Sequence, residues 1–214
     1  MTILQSKYST LMSKLVAAFI ILVTCFLSAC SNSDNVSSDQ DTTLINHKQN
    51  IEVPTWRTDS TSEYFTIDLP IRMTSTPDLN EGAEIAYSFT QEVAGEMKEF
   101  YLMVSIETHK QIKSYGFSKD FNLDSYNKAV LSNVTENLDH FELLESDKEN
   151  TDINQMKYRV SNIFGSLGAV NIFYKLAIFE GKKAFYQILT WTLDYQRSEF
   201  EEDMDKIIGS FNER

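Results

Sequence analysis

An α+β fold is predicted for residues 56–214 of this 214-residue chain, because two hydrophobic periods occur there in separate stretches. Short segments rich in aromatic and β-branched residues, bounded by Pro and Gly, carry the period of strands. Two other stretches repeat apolar residues at three- and four-residue steps, the period of a helix with one buried face. A tight connection at Glu180-Gly181-Lys182 between two long apolar runs adds antiparallel pairing to the forecast.

The elements follow in order. Tyr64 to Leu69, Glu84 to Gln91 and Phe100 to His109 read as strands bounded by Pro70, Pro77, Gly82 and Gly95, and are expected to form one antiparallel meander. Asn122, a good N-cap, precedes a helix marked by Leu123, Tyr126, Val130, Val134 and Leu138. Phe141 to Glu145 and Met156 to Ile163 follow as strands, separated by the polar loop Ser146 to Asn154. Val170 to Phe179 and Lys183 to Leu193 should be central strands, their turn using a positive φ at Gly181. In the second of them Phe185, Leu189, Trp191 and Leu193 share a face interrupted only by Gln187. The last helix is expected from Ser198, with Ser198 and Glu201 as a capping box and Phe200, Met204, Ile207, Ile208 and Phe211 as its apolar stripe. Gly209 weakens its final turn, so Ser210 and Phe211 are placed where the chain leaves the helix.

This order of elements, with "TIDLP", "LDSYNKAVLSNVTENL", the "EGKKAFYQI" hairpin and the terminal "IIGSF", resembles the PsbP-like and DcrB-like domains over most of residues 60–212. The resemblance implies a central antiparallel β-sheet with α-helices packed on its faces. It further implies an envelope lipoprotein or lumenal accessory protein that binds other proteins. Its motifs are patterns of fold, so it carries over no catalytic residue.

Ahead of the domain stands an address. Lys7 and Lys14 lie in an acid-free n-region, an apolar run extends from Leu15 to Phe26, and Leu27-Ser28-Ala29 precedes Cys30. This is the pattern of a bacterial lipoprotein signal peptide over residues 1–29, with Cys30 as the new, lipid-bearing N-terminus and palmitate as the expected acyl group. The 15 residues from Leu15 to Ala29 fall short of the ~20 that span a bilayer. Cys25 leaves with the leader and Cys30 is acylated, so the mature chain has no disulfide and rests on packing. Residues 30–55 are rich in Ser, Asn, Asp, Thr and Gln and form a flexible tether reaching roughly 25 Å. Ser31, rather than an aspartate, follows the cysteine, which in a diderm host favours the outer membrane.

Charge excludes a class of partners. The chain has 19 basic and 31 acidic residues, and loss of Lys7 and Lys14 leaves 17 against 31, or −14. With no Lys/Arg run to offset this, nucleic acid and anionic headgroups are not electrostatic partners, and the membrane is held through lipidated Cys30.

Catalytic motifs are absent from the sequence. Gly181-Lys182-Lys183 lacks the upstream glycine and the hydroxyl of a phosphate loop. Gly165-Ser166-Leu167-Gly168 lacks the spacing of a nucleophile elbow and reads as a turn. His47, His109 and His140 are too scattered for a metal trio or a triad base and read as solvent-exposed. Glu199, Glu201, Glu202, Asp203 and Asp205 open the last helix, where they complement its dipole. Asp147, Glu149, Asp152 and Asn154 offer oxygen donors for weak calcium binding, without the glycine and terminal glutamate of an EF-hand. The aromatic residues fall at strand periods and are assigned to the core.

The expected function is a membrane-anchored envelope lipoprotein that serves as a non-catalytic binding or accessory module for an envelope protein, with no cofactor or metal. The alternatives are a small-ligand carrier with a pocket between sheet and helix, and an envelope hydrolase with a dispersed site. A cleft with convergent polar groups would favour the third, a large apolar cavity the second, and an exposed apolar patch without either the first.

Overall fold

Alternating apolar residues become strands throughout the domain, and the computed structural model describes residues 55–116, 121–146 and 150–214. The strands are β1 (Trp56–Asp59), β2 (Phe65–Pro70), β3 (Thr74–Ser75), β4 (Ile85–Val93), β5 (Glu96–Thr108) and β6 (His140–Ser146). They continue with β7 (Asn150–Ile153), β8 (Met156–Leu167), β9 (Val170–Glu180), β10 (Ala184–Leu193) and β11 (Asn212–Glu213). The helices are α1 (His109–Ser114), α2 (Leu123–Thr135) and α3 (Arg197–Gly209).

All described pairings are antiparallel. The main sheet runs β3-β4-β5-β10-β9-β8-β6, with β7 also on β8, and β1-β2-β11 form a small second sheet. Strand period divides the core in two. Phe100, Leu102, Phe173, Phe179, Tyr186 and Ile188 point to one face, where α3 and the small sheet cover them. Tyr174, Leu176, Ile178, Phe185 and Trp191 point to the other, beneath α1 and α2. This is the α+β architecture expected from the sequence, with helices on both faces of the sheet.

One expectation needs correction. The strand from Tyr64 does not join β4 and β5 in a meander; it is β2, in the small sheet between β1 and β11. Phe65, Ile67 and Leu69 are almost wholly buried, so one face of that sheet is apolar and packs against α3 and the main sheet.

Asn122 caps α2 as anticipated, its side chain accepting from the Ser125 N–H at 3.1 Å. The box at Ser198 and Glu201 does not form. The 3-10 turn Asp194–Gln196 runs straight into α3, placing Gln196 at the N-cap without a side-chain bond and Ser198 inside the first turn. Glu201 instead takes two bonds from Arg197, at 2.9 and 3.0 Å, which hold its carboxyl below the usual carboxylate range. Gln196, 1% exposed, ties the turn to β5 by accepting from Glu99 N–H and donating to the Met97 carbonyl.

Beneath α3, Lys175 is a cation in the apolar layer, its ammonium 2.5 Å from Asp205 and 3.6 Å from Glu201. Lys175→Met should change stability by no more than about 1 kcal/mol, because removing the charge also removes its desolvation cost. Asp205→Asn leaves the ammonium buried with a weaker partner and should cost about 2 kcal/mol. Urea unfolding of the two variants checks this order, and a larger loss for Lys175→Met would show that the ion pair stabilises the fold outright.

The chain end fastens the sheet. Glu213 accepts from Lys182 N–H, Lys183 N–H and Tyr186 O–H at 2.8, 2.9 and 2.7 Å. Burial raises the affinity of that carboxyl for a proton, but these three donors outweigh it and hold the group below its ordinary range. Gly181 has no positive φ, contrary to expectation; it is needed because a Cβ would stand 2.4 Å from Glu213 Oε1. The hairpin is closed by the C-terminus rather than by turn chemistry alone.

Candidate functional site

Several sequence-predicted residues lie outside the described residues: Cys30, residues 31–54 of the tether with His47 among them, Asp147 and Glu149. Asn154, the last donor of the proposed calcium loop, turns its amide nitrogen to the Phe211 carbonyl at 2.7 Å. It therefore serves the packing of the C-terminus. Gly165 to Leu167 are not a turn but the end of β8; the turn is at Gly168, φ +58°. A Cβ at Gly165 would stand 2.6 Å from the end of the Leu138 side chain, which would have to shift to admit it.

His140 is exposed, but His109 is not the surface residue expected. Its ring is part-buried, edge-on to Phe185, with Nε2 2.9 Å from the Gly181 carbonyl. The acids of α3 do more than meet a dipole: Glu199 pairs with Lys98 at 3.1 Å, Asp203 with Arg72, and Asp205 with Lys175. Among the described residues no group of His, Cys, Asp or Glu is placed to hold a metal, and no helix is long and apolar enough to cross a membrane.

Polar side chains converge at two places. A groove of about 580 Å³ beside β3 and β4 is lined by residues that include Thr61, Asn80, Glu81, Glu84 and Tyr87. One lining acid, Glu84, and Asp59 behind the groove are held in structural bonds, while Glu81 is exposed. Asp59, behind Tyr87, accepts from that phenol and from Thr61 N–H and Oγ1, and Glu84 accepts from Ser62 at 2.9 Å. Burial together with the Asp59 carboxylate pushes the Tyr87 phenol up to about 12, so it stays a proton donor to Asp59. The groove lies beside β3 and β4, and Pro77 of the 3-10 turn Pro77–Leu79 is part of its lining.

The second place is a seam between the main sheet and α2. Gln187 donates to Tyr126 Oη at 2.5 Å, and Ser105 stands opposite Gln187 in the β5–β10 register. Glu107, two residues along the same face, has its carboxyl pushed up by burial, a shift that a hydrogen bond from Tyr126 partly offsets. Ser105 Oγ and Glu107 Oε2 have no hydrogen-bond partner among the described residues. The rings of Phe121, Tyr126 and Phe185 pack over this seam, 4.4 to 6.1 Å apart. The seam explains Gln187, the polar break in an otherwise apolar stripe.

The third feature is apolar and exposed. Strand β6 is the last strand on its side of the main sheet, and Phe141, Leu143 and Leu144 on it are 48%, 40% and 37% exposed. Phe141 stands opposite Gly165 and Leu143 opposite Ile163, so both lie on the α2 side of the sheet. Glu142, between them, faces the other way and is exposed. After Leu143 the register slips by one residue, so Leu144 is the extra residue of a β-bulge. The outer edge of β6, which pairs with no strand among the described residues, leaves alternate backbone N–H and C=O groups facing outward. In sequence this segment has the period of a half-buried strand, and its apolar face passes for core.

No protein-family model matches the chain, and no curated protein matches it. Solved structures do show a similar shape. A cyanobacterial PsbP from Synechocystis is 10% identical, with TM-score 0.48, covering 77% of this chain and 96% of its own. A Pseudomonas aeruginosa protein of unknown function is 12% identical, with TM-score 0.48 and coverages of 75% and 99%. LpqN of Mycobacterium tuberculosis, described as involved in cell envelope biogenesis, is 9% identical, with TM-score 0.45 and coverages of 74% and 90%. The set includes a PsbP, the kind of domain the sequence resembles. At such identity and overlap the likeness is one of shape and brings no function with it.

Proposed function

We propose that this protein is an envelope lipoprotein, anchored through acylated Cys30, whose α+β domain binds another envelope protein without catalysing a reaction. The anchor rests on the leader and Leu27-Ser28-Ala29-Cys30. The observation that carries the binding reading is the run of exposed apolar residues on β6, at a sheet edge with no neighbouring strand among the described residues. In the groove, by contrast, Glu84 is engaged by Ser62 and Asp59 behind it by Thr61 and Tyr87, and the seam lies beneath packed rings. Neither arrangement presents an activated nucleophile beside a base.

The purified mature chain should show no turnover of ester, phosphoester, glycoside or peptide substrates. Turnover abolished by one substitution, Glu107→Gln or Glu84→Gln, would replace this reading with an enzyme.

A further inference from the structure

Resting on the binding reading above, the geometry points to a specific mode: β6 accepts an extended segment of a partner protein as an added strand, with apolar residues at alternate positions and a Lys or Arg between them. An edge strand supplies main-chain hydrogen bonds to whatever strand comes alongside, and side-chain alternation then sets which sequence fits. On β6, Phe141 and Leu143 present one apolar face, so the added strand needs apolar residues opposite them. Glu142 projects from the opposite face between those two positions and calls for a cation across from it. The surroundings reinforce that sign. Glu136 and Asp139 are exposed just before the strand, and the sequence holds no Lys or Arg from 129 to 147.

The same charges exclude a second copy of this chain. Antiparallel pairing of two β6 edges about Glu142 would bring Phe141 against Leu143 of the other copy, but it would also set Glu142 directly against Glu142. Like charges directly opposite destabilise a pair, and two mature chains of −14 repel before contact. The bulge at Leu144 ends the regular register, so the added strand is short, aligned with His140 to Leu143. Electrostatic attraction brings the partner to the edge, and the two apolar contacts with the backbone ladder hold it there.

The test uses the full lipidated chain in detergent and two fluorescein-labelled heptapeptides, one alternating valine with lysine and the other valine with glutamate. Anisotropy titration should show the lysine peptide binding about tenfold more tightly than the glutamate peptide at low salt. Glu142→Lys should reverse that preference. Phe141→Ser with Leu143→Ser should weaken the lysine peptide about tenfold, and methylation of the peptide's alternate backbone nitrogens should abolish binding in one of the two registers. Tyr195→Ser, which removes an exposed aromatic on the 3-10 turn that follows β10, should leave affinity unchanged.

Equal affinity for both peptides, a preference indifferent to Glu142→Lys, or loss on Tyr195→Ser would overturn the proposal. Sedimentation of the chain as a β6-dependent dimer would overturn it as well. Failure here is separable from failure of the wider reading. An envelope partner held through another surface keeps the binding role and removes this edge, whereas turnover removes the binding role and leaves edge affinity measurable.

Discussion

Phe211→Ala should destabilise the domain by about 3–5 kcal/mol, the usual range for truncating a buried aromatic. Its ring is fully buried and touches three others: Phe179 at 4.7 Å, Tyr186 at 5.0 Å and Phe65 at 5.4 Å between centroids. Those partners belong to β9, β10 and β2, so this one side chain, leaving the end of α3, joins the main sheet to the small one. The effect reaches further because the next residues are the latch. Loss of the ring frees β11, where Glu213 closes the β9–β10 hairpin and the Arg214 N–H donates to the Tyr64 carbonyl at 2.9 Å. No disulfide within residues 56–214 can hold the fold while this region loosens, because the chain's two cysteines, Cys25 and Cys30, both precede it. The urea midpoint should fall accordingly, and an unchanged midpoint would show that the C-terminus does not dock.

Cys30→Ala should have the largest effect on location. The acyl chains supply the membrane affinity in this account, because a mature chain at −14 is repelled by anionic headgroups and no described helix can span a bilayer. The variant should lose labelling by a palmitate analogue and move from the membrane to the soluble fraction of the envelope. Retention in the membrane fraction would show that something other than Cys30 anchors the protein. The domain's unfolding midpoint should not change, since Cys30 precedes Trp56 by 26 positions in the sequence.

Long periodic elements were legible in the sequence: β4, β5, β8, β9, β10, α2 and α3 arise where alternation or a helical stripe runs for nine or more residues. Elements fixed by tertiary contact were not. β11 is two residues, and it exists because Asn212 and Glu213 pair with Thr66 and Phe65, partners nearly 150 positions away. The short helix α1 did carry a local signal, the box of Thr108 and Gln111, but it sits at the end of a strand pattern that masks it. The missing box at Ser198 shows the converse: a correct local motif yields when a preceding 3-10 turn starts the helix early. Gly181 was recognised as necessary for the wrong reason, because the sequence offers turn chemistry but not the distant carboxylate that crowds it.

The candidate site was less legible still. Phe141 and Leu143 have the spacing of a buried strand face, and only their position at the end of the sheet order leaves them exposed. Strand order depends on contacts between remote segments, so edge and centre cannot be told apart from local periodicity. The acidity of the chain, by contrast, is readable from composition alone, and the proposed preference for a cationic strand rests on it together with Glu142.

The most direct test of the account is site-specific photocrosslinking in living cells, with a benzophenone amino acid placed at Phe141 in one full-length lipidated chain and at Tyr195 in another. The account predicts one discrete envelope-protein adduct from position 141, none from position 195, and loss of the 141 adduct when Glu142 is also changed to Lys. An adduct from position 195 alone, or one from 141 that is indifferent to the charge at 142, would contradict it.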